Sequence, residues 1–108
     1  MIVLDEQLQG LGLEDTLAGW YLRQLTFVTI NYTDFWRRVP ADKSYCIVCM
    51  ELPVEQTDKA SGWLRQLFRL PEFKTKGARM GTVVLASPQQ LRYYRTHAQH
   101  IHLLRWPD

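Results

Sequence analysis

Phe27-Val28-Thr29-Ile30-Asn31-Tyr32-Thr33-Asp34-Phe35 is the stretch whose reading decides the fold. An apolar, β-branched run stops at an Asn, and an Asp follows three residues later. Such a run reads as a short strand covered on both faces. The carboxyl end of a buried parallel strand lies on the sheet edge where open α/β sheets bind ligands, so Asn31 and Asp34 are expected at that lip. Ile2-Val3-Leu4-Asp5-Glu6 repeats the design, a short apolar strand ending in acid. Two such strand ends make one candidate acidic site of Asp5, Glu6, Asn31 and Asp34, with Glu14 and Asp15 as outlying members.

Working outward, residues 2–5 and 25–30 are the first two strands. Between them, Leu13, Leu17, Trp20 and Tyr21 fall at i, i+4, i+7 and i+8, a helical stripe with Glu14 and Asp15 in its first turn. A short helix is expected from Thr33, with Thr33 as its N-cap and Pro40 as a stop. Residues 44–52, almost continuously apolar, form the third strand, which Pro53 ends. A long helix follows, starting at Thr57 or Asp58, carrying Ala60, Trp63, Leu64, Leu67 and Phe68 at the 3.6-residue period, and stopping near Pro71. Gly62 should weaken that helix by roughly 1 kcal/mol relative to Ala. Lys59, Arg65 and Arg69 occupy its outer face, and Lys74, Lys76 and Arg79 a polar connector to Gly81. Residues 82–86 are the fourth strand. Ser87-Pro88 resembles an N-cap with Pro at the first helical position, which predicts a helix over 89–98; Leu91-Arg92-Tyr93-Tyr94 also fits the return strand of a hairpin. Residues 101–106 close the chain as a fifth, edge strand before Pro107. Strands alternating with helices predict an α/β fold, a mainly parallel sheet of four to five strands and right-handed crossovers.

Composition bounds the function. A chain of 108 residues, 46% hydrophobic, with four Trp, five Tyr and four Phe has material for a single domain over 1–108. No run approaches the 18 or so apolar residues of a membrane span. The amino end carries acids where a secretion signal carries Lys or Arg. Cys46 and Cys49 are the two cysteines, too few for a disulfide framework, which suits a reducing, cytoplasmic setting. Charge is asymmetric: residues 1–36 hold five acids against Arg23, whereas residues 37–108 hold twelve Lys and Arg against six acids. A basic body around an acidic cluster suits a phosphate-bearing ligand that needs cations at the acids; a solvated basic helix face accounts equally for the excess.

Three other groups invite chemistry. Cys46-Ile47-Val48-Cys49 has redox-motif spacing, but lies in an apolar strand whose alternation sends the two thiols to opposite faces, so core packing is expected. His97, His100 and His102 lack the further converging ligands of a zinc site, although His100 and His102 could share a strand face. Arg92, Tyr93, Tyr94, Arg95 and Arg105 have the composition of a single-strand stacking surface, or of an element whose tyrosines are half in the core. No Gly-rich phosphate loop and no Ser or Cys nucleophile motif is present.

The acidic site has the sharpest implication. Mg²⁺ binds through one or two carboxylates, retained waters and substrate phosphate oxygens, so two carboxylates on neighbouring strand ends are minimum equipment for metal-assisted phosphodiester hydrolysis. The competing reading has Asn31 and Asp34 capping the helix that follows. Asp5-Glu6 after Ile-Val-Leu, then Val28-Thr29-Ile30-Asn31-Tyr32-Thr33-Asp34-Phe35 and the apolar strand Tyr45 to Leu52, resembles the short PIN-like domains of the VapC-type toxin group. The likeness covers residues 1–52 in motif and the remainder in architecture. It implies a three-layer α/β sandwich and a ribonuclease using Mg²⁺ or Mn²⁺, RNA as substrate and a cognate antitoxin protein as partner, with a homodimer left open. By position, Asp5 is the primary metal ligand and Asp34 the second, with Asn31 and Glu6 in support. Such domains place a helix, a strand and an acid-bearing helix between the two motifs; here some 20 residues separate Glu6 from Phe27, and residues 11–15 stand where the acid-bearing helix would be. A non-catalytic scaffold that binds protein or nucleic acid is the alternative. A flavodoxin- or receiver-type module is disfavoured, since no strand ends in Lys.

Overall fold

The computed structural model describes residues 2–5, 25–96 and 98–106. The elements in order are β1 (Ile2–Leu4), β2 (Leu25–Thr29), α1 (Tyr32–Phe35), β3 (Tyr45–Met50), α2 (Ala60–Leu67), α3 (Lys76–Arg79), β4 (Thr82–Ala86), β5 (Leu91–Arg95) and β6 (Ala98–Leu104). They build an α/β fold around one six-stranded sheet in which spatial order equals chain order, β1 to β6. β1 to β4 are parallel, and β5 and β6 return antiparallel. The sheet is thus mixed and one strand larger than the expected four to five.

The middle strands form where the sequence is apolar without alternation. From Cys46 to Met50 and from Thr82 to Ala86 every residue is buried, the signature of strands covered on both faces. Register lines up Leu4, Val28, Val48, Val84, Tyr93 and His102 in one row across all six strands. On that face the row packs with Cys46, Met50 and Ala86 beneath Ala60, Leu64, Leu67, Phe68 and Phe73 of the β3–β4 connection. The other face carries Ile47, Cys49, Val83 and Leu85 beneath Tyr32, Phe35, Trp36, Val39 and Ala41 of the β2–β3 connection.

This division bears on handedness. The β2–β3 and β3–β4 connections step in the same direction between adjacent parallel strands, yet cover opposite faces. They are therefore of opposite hand, and the expectation of uniformly right-handed crossovers fails. The preference arises when a twisted strand feeds a helix that packs back on the sheet. In the β2–β3 connection the helix is one turn long, and most of the segment is a non-helical strap of turns and irregular backbone that the rule constrains weakly.

Other expectations are corrected locally. The helix over 89–98 does not form; the hairpin does, and the closing strand runs Ala98–Leu104 rather than 101–106. The long helix reduces to a 3₁₀ segment, Val54–Lys59, leading into the eight residues of α2. α1 starts at Tyr32 with Asn31, not Thr33, in the N-cap position. The cap signal holds instead at Thr75, whose side chain accepts the Ala78 N–H at 3.1 Å. Arg79, expected on a polar connector, is 2% exposed. Its guanidinium donates to the Phe73 carbonyl at 2.9 Å and lies 4.2 Å over the Phe68 ring. The helix expected from Leu13 to Tyr21 lies outside the described residues.

Candidate functional site

The acidic site is assembled by the parallel pairing of β1 with β2. Leu4 opposes Val28, and the Asp5 N–H donates to the Val28 carbonyl at 2.8 Å. That bond carries the ladder one residue past β1 and sets Asp5 beside Thr29. Thr29 is fully buried, and its hydroxyl donates to Asp5 Oδ2. The same hydroxyl oxygen accepts the Asn31 N–H at 2.9 Å. The Asn31 amide Nδ2 donates to Asp34 Oδ2 at 2.8 Å, and Asn31 Oδ1 accepts from the Thr33 hydroxyl at 3.3 Å. A continuous series of hydrogen bonds, Asp5–Thr29–Asn31–Asp34, therefore joins the two strand ends at the carboxyl edge of the sheet.

The series has a definite polarity. An ionised carboxylate only accepts, so the Thr29 hydroxyl proton is committed to Asp5 and its oxygen is left to receive Asn31. Neither Thr29 nor Asn31 carries charge, so these bonds orient the carboxylates without neutralising them. Asn31 and Asp34 do not cap α1: the helix has no side-chain cap bond, and the Asn31 amide is spent on Asp34. Asp5 is half-buried and Asp34 exposed. Glu6, Glu14 and Asp15 lie outside the described residues.

Topology opens a crevice after the ends of β2 and β3. At the carboxyl ends of β2 and β3 the chain departs to opposite faces, the arrangement that leaves a gap between neighbouring strand ends in α/β sheets. A cleft of about 470 Å³ lies there, lined by Tyr32 after β2, Glu51, Leu52 and Pro53 after β3, and Pro88 and Gln89 after β4. Glu51 follows β3 directly, its N–H donating to the Ala86 carbonyl at 2.7 Å. It is a third acid at a strand end, one that the apolar run 44–52 hides within a strand. Alternation places it on the side of Cys49, which opposes Thr29. Thr29 is a further member that motif reading passes over. Its signal is parity, since it lies two residues before Asn31 and level with Asp5.

The remaining candidates resolve into structure. Cys46 and Cys49 are buried on opposite faces, and burial pushes both thiols up to about 12. They are core residues and poor nucleophiles. His100 and His102 share a face with ring centroids 4.4 Å apart, and His102 stacks on Tyr93 at 4.8 Å; His97 lies outside the described residues. Tyr93 faces one core at 7% exposure, whereas Tyr94 turns to the other face against Trp36 at 5.3 Å. The two tyrosines thus form no common stacking surface. Among the described residues no group of three or more His, Cys, Asp or Glu is placed to hold a metal ion, and no helix is long and apolar enough to cross a membrane. Comparison with protein-family models, with curated proteins and with solved structures finds no match for the chain.

Proposed function

We propose that the chain is a PIN-like, three-layer domain that hydrolyses phosphodiester bonds of RNA with Mg²⁺ or Mn²⁺ at Asp5 and Asp34. The observation that carries this reading is the hydrogen-bonded series joining those two carboxylates at the carboxyl edge of the sheet. The donor set fits a hard cation, which needs one or two carboxylates and takes its other ligands from water and phosphate oxygens. It does not fit a zinc site, which needs three or four protein ligands. When bound, the ion supplies Lewis-acid polarisation of the phosphoryl group and a more acidic water. The chain's own residues do the positioning. Thr29 fixes the Asp5 carboxylate, Asn31 fixes that of Asp34, and Glu51 adds negative potential along the cleft that favours a cation there. Glu6 is assigned a supporting role on the strength of its place after Asp5.

The test is cleavage of a single-stranded RNA by the purified chain with Mg²⁺ or Mn²⁺, and by Asp5→Asn and Asp34→Asn, each checked for folding by circular dichroism. Each substitution is expected to abolish metal-dependent cleavage. Unchanged cleavage in both variants defeats the assignment. The short run of some 20 residues between Glu6 and Phe27, where PIN-like domains carry a further strand and an acid-bearing helix, favours a second reading, a scaffold that binds RNA or a protein partner without cleaving. That reading expects binding insensitive to chelator and weakened by salt. An antitoxin-like protein and a second copy of the chain are the partners the family resemblance suggests.

A further inference from the structure

A second cavity, of about 350 Å³, opens next to the cleft at the carboxyl edge and shares a wall with it. It is lined by Gln56, Lys59, Trp63, Gln66, Pro88 and Trp106, with no acid among the six. Pro88 borders both spaces. The 3₁₀ segment makes a second tie: Pro53 lines the cleft, Gln56 lines the cavity, and the Gln56 N–H donates to the Pro53 carbonyl at 2.9 Å. On its far side the cleft begins at Tyr32, the residue after Asn31 of the hydrogen-bonded series. From there to Pro88 the edge passes from β2 to β4, two spacings of about 4.7–4.9 Å each. A few nucleotides of single strand span that distance.

The aromatic part of the cavity is held by the fold. The Trp106 indole N–H donates to the Ser87 carbonyl at 2.6 Å. Ser87 is fixed in turn, since its own N–H and hydroxyl both donate to the Gln90 carbonyl. Trp63 stands on α2 and packs with Trp106 against the core, ring centroids 5.7 Å apart and planes at 57°. Both rings are half-buried, so each gives part of its surface to the core and part to the cavity. Planes at that angle and distance leave no slot between them. They form a corner, in which a flat ligand stacks on one indole and meets the edge of the other. With its N–H already bonded, Trp106 offers a ring face and no donor.

The polar groups around the corner are of another kind. Gln56 and Gln66 carry amides that both donate and accept, as the edge of a base does. Lys59 is exposed, and a point charge on a flexible stem needs no fixed geometry to meet a phosphate. A flat heteroaromatic ring with mixed donors and acceptors and an attached anion uses all of these groups. The volume is at the low end of the roughly 300–1,000 Å³ of ligand pockets, which suits one base. We infer that the Trp63–Trp106 corner is a base-binding subsite, which stacks an unpaired base of a single-stranded RNA lying along the carboxyl edge. The inference rests on RNA as the ligand of that edge, as proposed above, and is independent of cleavage. Stacking accepts every base, so the subsite selects single strands over duplexes rather than one sequence.

The experiment measures binding of the whole chain to a labelled single-stranded oligoribonucleotide and to a duplex of the same length. Excess EDTA keeps metal-dependent cleavage out of the measurement. Trp63→Leu should weaken single-strand binding about fivefold or more, the low end for one base stack, with the salt slope unchanged because no charge is removed. Trp63→Phe keeps a ring and should bind nearly as the native chain does. Lys59→Gln should lower the log–log salt slope by about 0.7, one phosphate contact of a single strand. Gln66→Glu, at an exposed position whose change leaves the core intact, puts a carboxylate in the cavity and should also weaken binding. Trp36→Phe, on the opposite face against Tyr94, is the control and should bind as the native chain does. Circular dichroism and melting midpoints check each fold. The inference is overturned if the native chain does not bind the single strand, or binds the duplex as tightly. It is overturned equally if Trp63→Leu and Gln66→Glu both bind as the native chain does, or if Trp36→Phe loses as much as Trp63→Leu. Capture through Trp63 of a proline-rich peptide, the other ligand of aromatic corners, by a chain that ignores RNA also overturns it. Trp63-dependent binding by a chain that cleaves no RNA with Mg²⁺ or Mn²⁺ upholds the subsite and defeats the nuclease reading. Metal-dependent cleavage with unchanged binding in the Trp63 and Gln66 variants does the reverse.

Discussion

Thr29 is the smallest handle on the acidic site, and the effect of removing its hydroxyl can be worked from its hydrogen bonds. Thr29→Val keeps the shape of the buried side chain and its preference for a strand. It deletes a hydrogen bond to the Asp5 carboxylate and leaves the Asn31 N–H without its acceptor. A bond to a charged acceptor contributes about 1.5–3 kcal/mol and a neutral one about 0.5–1.5 kcal/mol, an upper sum of about 4.5 kcal/mol. Asp5 and Asn31 are both half-exposed, so water replaces part of this and about 2 kcal/mol is the expected cost. Thr29→Ser is the matching control, since it keeps the hydroxyl and removes one buried methyl, about 1 kcal/mol. With a urea slope of about 1.5 kcal/mol/M for a domain of this size, the Val variant should unfold about 1.3 M earlier than wild type, and the Ser variant about half as far. RNA cleavage should follow the same order, because the Val variant frees the Asp5 carboxylate to rotate. A Val midpoint equal to or above that of Ser would refute the claim that the hydroxyl holds the strand ends together.

Further outcomes follow from particular sites. Gly62 and Gly77 have nothing within 4 Å of an added Cβ, whereas at Gly81, with φ 83°, an added Cβ would lie 2.7 Å from Thr96 Oγ1. In thermal or urea melts, Gly62→Ala should stabilise by about 0.5–1 kcal/mol and Gly81→Ala should destabilise by about 2 kcal/mol. Cys46 and Cys49 should resist a thiol reagent at pH 8 in the native chain and react fully in guanidinium chloride. Because both folded thiols are raised from 9.0 to about 12, the unfolded chain releases protons first. Stability is therefore complete below pH 9 and falls between pH 9 and 12, by up to about 1.4 kcal/mol per pH unit for each thiol. Replacing both with Val should flatten that decline. Arg37→Gly should relieve the left-handed strain at φ 62° and raise the melting midpoint slightly, the gain limited by the greater freedom of an unfolded Gly.

How far the sequence can be read depends on how locally each element is determined. β2, β3 and β4 are legible because an uninterrupted apolar, β-branched run has few alternatives in a short chain. The 87–90 segment misleads for a physical reason. Ser87 does accept the Gln90 N–H, at 3.2 Å, as an N-cap would, but the Ser87 N–H and hydroxyl both donate to the Gln90 carbonyl, at 3.0 and 2.8 Å. The second set closes a turn, and the chain returns as β5. Alternation then decides: Leu91 and Tyr93 go to one core, Tyr94 to the other, period two rather than 3.6. The burial of Arg79 has no local signal, since the ring it covers and the carbonyl it reaches lie 11 and 6 residues away. In the acidic site Asp5 and Asn31 are legible as polar residues just past strand ends, and Asp34 as the acid that follows three residues later in α1. The hydroxyl that links them is not, because a Thr inside a strand is ordinary until the register of its neighbour is known.

The location of the acidic site has a cause beyond its own residues. Had both connections covered the same face, as uniform right-handed winding requires for strands in chain order, the segments after β2 and β3 would run side by side over that face. They would then close the gap between the two strand ends. Because α1 and its strap cover one face and α2 the other, the segments diverge, and Tyr32 and Glu51 become opposite walls of a cleft. Tyr32, on the β2 side, follows directly on Asn31 of the hydrogen-bonded series. The strap that forces the divergence also carries Arg37 and Arg38, past the Trp36–Tyr94 contact, to the wall of a cavity of about 450 Å³. One short connection of the opposite hand to its successor thus both opens the acidic crevice and walls that cavity. A change that lengthens α1 at the expense of the strap should disturb the two together, and a change within α2 should disturb neither.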